Sequence, residues 1–333
     1  MTPCRQYTDT AGLLEIAAGL NYRNMPDELL GKPEAIEPVL SARPCGLVLD
    51  IDGTIAPIAP RPADARVSRI CLQHMAALEA QLELMAVISG RPAHEAKELV
   101  GMEGLVYVGC HGLERLSGGN LVVAPMARAH RERLHRATRL LARRLAKLPE
   151  MKGLLVEDKG LSATFHYRGC PYPDVARSVI LDMLGAMRGL DGLRMLEARR
   201  AVELLPDIPA DKGAALMGLA SEFGLRGIFY LGDDSTDVTA FRAIRQWREK
   251  TAGLGLAVAV TGQETPADVL QEADFTLPGV PGSEQFLGFL RQLSTRLSSG
   301  DPPSAGRARE QDPPPPLPGA KPPASGGVPP EAE

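Results

Sequence analysis

The chain has 333 residues, enough for two domains or for one domain with an insertion and tails. A formal net charge of -4 and an aromatic content of 4% exclude a basic, stacking-rich nucleic-acid binder. The cysteines (Cys4, Cys45, Cys71, Cys110 and Cys170) are scattered without CxxC spacing, which points away from zinc or disulfide scaffolds and toward a reducing, cytoplasmic setting.

No run reaches the roughly 18 consecutive apolar residues of a membrane span. Residues 10–20 read as an amphipathic helix within an N-terminal extension, 1–40, and Asp9 and Glu15 make this end a poor signal peptide. The first strand, 46–49, is an unbroken apolar run that delivers Asp50 and Asp52 into the turn Gly53-Thr54. A helix follows at 67–82, then a strand at 84–88 ending in Ser89-Gly90-Arg91. A short helix at 94–100 and a strand at 105–109 lead into Cys110-His111-Gly112.

The middle changes character. An arginine-rich helix at 130–148, strands at 153–157 and 162–167, a helix at 175–187 and strands at 194–197 and 201–204 form an α+β module without parallel rhythm. The α/β alternation resumes with a helix at 211–223 and a strand at 227–231 ending in Gly232-Asp233-Asp234-Ser235-Thr236-Asp237. Helices at 238–247, 266–272 and 283–297 alternate with strands at 256–260 and 275–277. The expected class is therefore α/β: a doubly wound, mostly parallel sheet from 41–115 and 207–298, with an inserted α+β domain at 116–206. Residues 299–333 are Pro, Gly, Ser and charge, the composition of a disordered tail.

Asp50/Asp52, Ser89, Lys212 and Asp233/Asp234/Asp237 all sit at a strand end or helix start. Each alone is an ordinary turn or helix cap. In this order they form a constellation. Close carboxylates need a cation or a proton to coexist, and oxygen donors suit a hard ion such as Mg²⁺. Carboxylates from two strands can share that ion, while a serine hydroxyl, a lysine and backbone N–H groups hold phosphate oxygens. One carboxylate then serves as nucleophile and another as general acid/base.

Leu49-Asp-Ile-Asp-Gly-Thr54, Ser89, Lys212 and Gly232-Asp-Asp-x-x-x-Asp resemble the four motifs of the haloacid-dehalogenase-like phosphatases. The resemblance implies that Asp50 is the nucleophile and that Asp52 protonates the leaving alcohol and later activates water. It implies Mg²⁺ on Asp50, the Asp52 carbonyl and Asp233, and phosphate on Ser89, Gly90 and Lys212. Thr54, Asp234 and Asp237 are then supporting residues. More narrowly, Gly109-Cys-His-Gly-Leu-Glu114, Val156-Glu-Asp-Lys159, Phe165-His-Tyr-Arg168 and the segment around Glu203 are similar to trehalose-6-phosphate phosphatases. That likeness runs from about Cys45 to Leu290 and implies a cap that binds the sugar.

The implied substrate-binding residues are Arg91, His111, Gly112, Glu114, Lys159, His166, Arg168 and Glu203. Core and cap are expected to hinge near 114–117 and 206–209. A small sugar phosphate is the implied partner of a monomer, with a trehalose-phosphate synthase as a further partner and no role for nucleic acid or membrane. Val238 and Thr239 stand where the family usually has Glu-Asp, and Pro209-Ala210 replace a tryptophan-like position. Sucrose, mannosylglycerate or glucosylglycerate phosphates are the competing substrates, and a non-catalytic regulatory protein is the competing class.

Overall fold

Leu47, Val48 and Leu49 are fully buried because the strand that carries them, β1 (Cys45–Leu49), is covered on both faces. The structure is a computed structural model that describes residues 26–299. The helix expected at 10–20 and the tail from Gly300 onward lie outside the described residues.

β1 lies inside an eight-stranded sheet whose order is β12 (Phe275–Pro278), β11 (Leu254–Thr261), β10 (Gly227–Gly232), β1, β2 (Leu84–Ile88), β3 (Val106–Gly109), β4 (Glu114–Ser117) and β5 (Asn120–Val123). The first six of these pair in parallel, and β4 and β5 add an antiparallel hairpin at one edge. Successive side chains point to opposite faces, so each strand feeds two cores. Leu47, Leu49, Met85, Val87, Phe229 and Leu231 face α1 (Pro33–Ser41), α2 (Arg69–Glu79), α3 (Ala93–Val100) and α9 (Gly279–Ser299). Val48, Ile88, Ile228 and Tyr230 face α6 (Lys212–Glu222), α7 (Val238–Lys250) and α8 (Ala267–Glu272).

The chain proceeds from β1 to β2 and β3 on one side and returns through β10 on the other. The crevice at the carboxyl ends of β1 and β10 is thus a topological switch point, where open α/β sheets bind ligands. Leu49 stands opposite Leu231 in register, which brings Asp50 level with the Gly232-Asp233 turn.

A second, four-stranded antiparallel sheet has the order β6 (Leu155–Asp158), β7 (Ala163–His166), β9 (Ala201–Pro206) and β8 (Leu193–Ala198). One face packs on α4 (Pro125–Leu145) and α5 (Pro173–Gly185) through Ala163, Phe165, Val202 and Leu204. Its other face carries Thr164, His166 and Glu203, the alternation of an antiparallel sheet with one apolar face.

The expected α/β rhythm and the α+β module are therefore both present, but their junction differs. Residues 116–123, expected to open the insertion, extend the large sheet as part of the β4–β5 hairpin. The turn between these strands is Gly118-Gly119, both at positive φ, the conformation that a two-residue hairpin needs. The expected hinge at 114–117 is consequently a paired strand, and the chain leaves the large sheet only after Val123. Among the described residues no helix is long and apolar enough to cross a membrane.

Two glycines of α6 make the packing testable. A Cβ on Gly213 falls 2.4 Å from the Thr239 carbonyl oxygen at the start of α7, whereas one on Gly218 meets nothing within 4 Å. Gly213→Ala is expected to cost about 1–3 kcal/mol through overpacking. Gly218→Ala is expected to gain about 0.5–1 kcal/mol by restricting the unfolded chain. Urea denaturation of the two variants checks the opposite signs.

Candidate active site

Asp50 follows β1 directly and is buried at 5% relative exposure, beside the equally buried Asp233 that follows β10. Carboxylate oxygens of Asp50, Asp233 and Asp237 all lie within 4.8 Å of one another. Such crowding is tolerated because Lys212 enters the same space. Lys212 opens α6, where Asp211 caps the helix by accepting from the Ala214 N–H at 2.7 Å. Its ammonium donates to Asp50 Oδ1 at 2.9 Å and to Asp237 Oδ1 at 2.7 Å.

Asp237 has no oxygen to spare. Oδ1 also accepts from the Tyr230 hydroxyl at 2.6 Å, and Oδ2 accepts the backbone N–H groups of Asp233 and Asp234, both at 3.1 Å. It anchors Lys212 and the Asp233 turn. Asp233 Oδ1, by contrast, is buried without a hydrogen-bond partner. Gly53 makes room for that carboxylate: its φ is +89°, and a Cβ there would fall 1.9 Å from Asp233 Oδ2.

Burial pushes the Asp50 carboxyl up to about 7, against the pull of Lys212 and with the help of Asp237. Burial, and then the Asp50 charge, hold Asp233 well above the ordinary carboxylate range. Burial opposes the charge on Lys212, but Asp237 and Asp50 outweigh it and raise its pKa. Asp50 and Asp233 together thus offer two acidic groups that a further cation would relieve.

Around this centre the two sheets line one open-mouthed cavity. Asp50, Asp52, Ser89, Gly90, Arg91, Lys212, Asp233 and Asp234 line it from the large sheet, as does His111. Lys159, His166, Arg168 and Glu203 line it from the smaller one. The residues expected from two distant stretches of chain therefore meet in one cavity. Gly112, Glu114, Thr54 and Asp237 do not line it. Glu114 instead accepts the Ala93 N–H at 2.6 Å, securing the start of α3. Gly112 turns the chain at φ +104° beside Asp211, and Thr54 is buried in the turn after β1.

Two ion clusters organise the walls. Arg91 grips Asp52 through a bidentate pair at 2.6 and 2.7 Å and also reaches the Pro62 carbonyl at 3.0 Å. Across the seam, Glu203 accepts from Lys159 at 3.3 Å and sits 2.9 Å from His111 Nε2, while Lys159 donates to the Gly90 carbonyl at 2.9 Å. His111 is held in the left-handed region at φ 57°, unusual for a non-glycine residue and typical of functional sites.

Glu157 and Arg199 line the cavity too and were not expected. Glu157 lies two residues before Lys159, so strand periodicity could have placed it on the same face; it sits 3.2 Å from His166 Nε2. Arg199 occupies the β8–β9 turn, and nothing in its local sequence distinguishes it from a solvated turn residue. It pairs with Asp233 Oδ2 at 3.0 Å.

A family model described as trehalose-phosphatase matches residues 48–272, which takes in the smaller sheet and all of the large one except β12 and the start of β1. The chain belongs to the trehalose-phosphatase family. A trehalose-phosphate phosphatase of Mycobacterium ulcerans is 30% identical over 307 residues, covering 86% of this chain and 72% of that protein. A Mycobacterium tuberculosis protein described as an uncharacterized glycosyl hydrolase is 34% identical over 235 residues, but the match spans only 16% of its length and 66% of this chain. Among solved structures, the C-terminal domain of Candida albicans trehalose-6-phosphate phosphatase matches with a TM-score of 0.66 at 20% identity, covering 80% of this chain and 98% of that one. At that identity the likeness concerns the fold.

Membership in the trehalose-phosphatase family implies a divalent metal, and the donor set fits one. Asp50 and the unpartnered Asp233 Oδ1 are hard oxygen donors at adjacent strand ends. The Glu203 cluster has a separate, structural consequence. Burial opposes its charge, but Lys159 and His111 hold the carboxyl far below the usual range. Its contribution is then complete above the ordinary glutamate range and is lost as pH falls through that range toward the depressed value. Glu203→Ala is expected to cost about 3–5 kcal/mol at neutral pH, because Lys159 is left charged and buried. Urea unfolding at pH 7 and again near pH 4 should show the gap between variant and parent narrowing in acid.

Proposed function

We propose that this chain is an Mg²⁺-dependent phosphatase that hydrolyses trehalose 6-phosphate to trehalose and phosphate through an aspartyl-phosphate. The observation that carries the reading is the buried Asp50–Lys212–Asp237 chain next to Asp233, facing a polar sheet surface across one cavity. Family membership supplies the substrate class.

Lys212 holds Asp50 Oδ1, which leaves the second oxygen of Asp50 as the attacking atom. The new bond forms between that oxygen and phosphorus as the bond to the sugar oxygen breaks. Asp52 gives the departing oxygen a proton, then takes one from the water that cleaves the aspartyl-phosphate. Asp52 is free for this only when Arg91 turns from it to a phosphoryl oxygen, a move of one side chain within the cavity wall. Ser89, the Gly90 backbone and Lys212 bind the remaining phosphoryl oxygens. When bound on Asp50, the Asp52 carbonyl and Asp233, the divalent ion neutralises charge on the nucleophile and on the phosphoryl group.

The smaller sheet acts as the lid. A disaccharide presents many hydroxyls, which require fixed charged and polar partners. Lys159, His166, Arg168, Glu203 and Glu157 supply these from one face. Hydroxyl donors and acceptors of the sugar can join the Glu203–Lys159–His111 cluster without leaving any member unpaired.

Asp50→Asn should retain the fold and reduce phosphate release to below about one-thousandth of the parent. Sustained turnover would refute the nucleophile assignment. A panel of disaccharide and monosaccharide phosphates assayed with Mg²⁺ tests the substrate. Trehalose 6-phosphate is expected to give the highest kcat/KM; parity with glucose 6-phosphate, or a preference for sucrose, mannosylglycerate or glucosylglycerate phosphate, would overturn the assignment.

A further inference from the structure

We propose that Arg199 is a cation carried by the smaller sheet that opposes divalent-metal binding at Asp233 and so sets the metal affinity of the site. The proposal rests on reading Asp50 and Asp233 as the metal site. Arg199 and Arg200 form the two-residue turn between β8 and β9, with Arg200 at φ 56°. The tip of this hairpin therefore reaches the crevice at the end of β10.

Three contacts seat Arg199 there. Its guanidinium lies 3.0 Å from Asp233 Oδ2 and donates to the Asp233 carbonyl at 3.3 Å. Its backbone N–H donates to Asp234 Oδ2 at 3.2 Å. The side chain is only 14% exposed and its Nε is buried without a partner. An arginine placed in so incompletely satisfied a position is held chiefly by the charge of Asp233. Neighbouring residues add a weaker seat, as Arg168 and Arg200 both approach Glu264 at 3.6 Å.

Asp233 thus offers Oδ2 to Arg199 and Oδ1 to a metal, which must share one negative charge. A divalent ion on Oδ1 draws that charge away from the guanidinium and repels it across a few ångströms of low-dielectric space. By linkage, Arg199 weakens the metal to the same degree that the metal weakens the seat of the hairpin tip. An arriving phosphate dianion relieves the conflict, because the displaced guanidinium then faces phosphoryl oxygens in the same cavity. Metal and the seated hairpin thus oppose each other most strongly when no phosphate is bound.

Calorimetric titration of the full chain with Mg²⁺, without substrate, separates the outcomes. Arg199→Gln is expected to bind Mg²⁺ about tenfold more tightly than the parent. Arg199→Lys, which keeps the charge, should stay within about threefold of the parent. Glu264→Gln loosens the neighbouring seat but keeps Arg199, and should leave affinity within about twofold. In the parent, Mg²⁺ should also speed amide hydrogen exchange at 198–201, and in Arg199→Gln it should not. Unchanged or weaker Mg²⁺ binding by Arg199→Gln overturns the proposal. An equal gain in Glu264→Gln overturns it as well, since hairpin looseness rather than charge would be responsible. Asp233→Asn distinguishes the underlying reading: if it binds Mg²⁺ as tightly as the parent, the metal site itself is misassigned.

Discussion

Two buried carboxylates, Asp50 and Asp237, share a single buried ammonium with a third, Asp233, close beside them, and the rest of the molecule is arranged so that this can persist. Asp50, Asp233 and Asp237 repel one another in a place where water cannot screen them. Lys212 offsets part of that charge, and it does so only because α6 begins at the mouth of the crevice. The position of α6 depends in turn on its close approach to α7, with Gly213 lying against the Thr239 carbonyl. Tyr230, from the middle of the core, contributes a hydroxyl to Asp237. Sheet, helix starts and turn backbone all meet at one electrostatic balance.

The same economy governs the seam between the two sheets. The smaller sheet spends its apolar face on α4 and α5 and keeps Thr164, His166 and Glu203 for the cavity. Glu203 is satisfied by groups from both sides, Lys159 from its own sheet and His111 from the large one. Arginines cap two of the cavity's carboxylates from opposite sides: Arg91 on Asp52 from the large sheet, Arg199 on Asp233 from the small one. Each guanidinium also lines the cavity, so the site carries its own counter-charges to these acids.

Much of the fold was legible because buried parallel strands are written as apolar runs, and β1, β2, β10 and β11 read that way. The β4–β5 hairpin was not, because an edge hairpin with exposed Leu121 and Val122 carries little hydrophobic alternation. Its Gly118-Gly119 turn was the available signal. Helix α1 falls in a stretch with prolines at 33 and 38 that masked its pattern. Glu114 shows the limit of motif reading: its place in a similar segment suggested sugar binding, yet its carboxylate caps α3. Arg199 shows the opposite limit, since a turn arginine acquires its partner only when two sheets are brought together.

Chain chemistry alone determined which residues carry the charge and where each strand releases its acid, because alternation, turn glycines and helix caps are local properties. It also determined that Asp50 and Asp52 leave one strand together, since they are two residues apart at its end. Tertiary structure alone decided which carboxylates share Lys212, which oxygen is left without a partner, and which arginine meets Asp233. Those outcomes depend on residues 25 to 162 positions apart in the chain, as in the Lys212–Asp237 and Lys212–Asp50 bonds. Electrostatic balance at such separations is set by packing and burial, and neither is written in any one segment of the sequence.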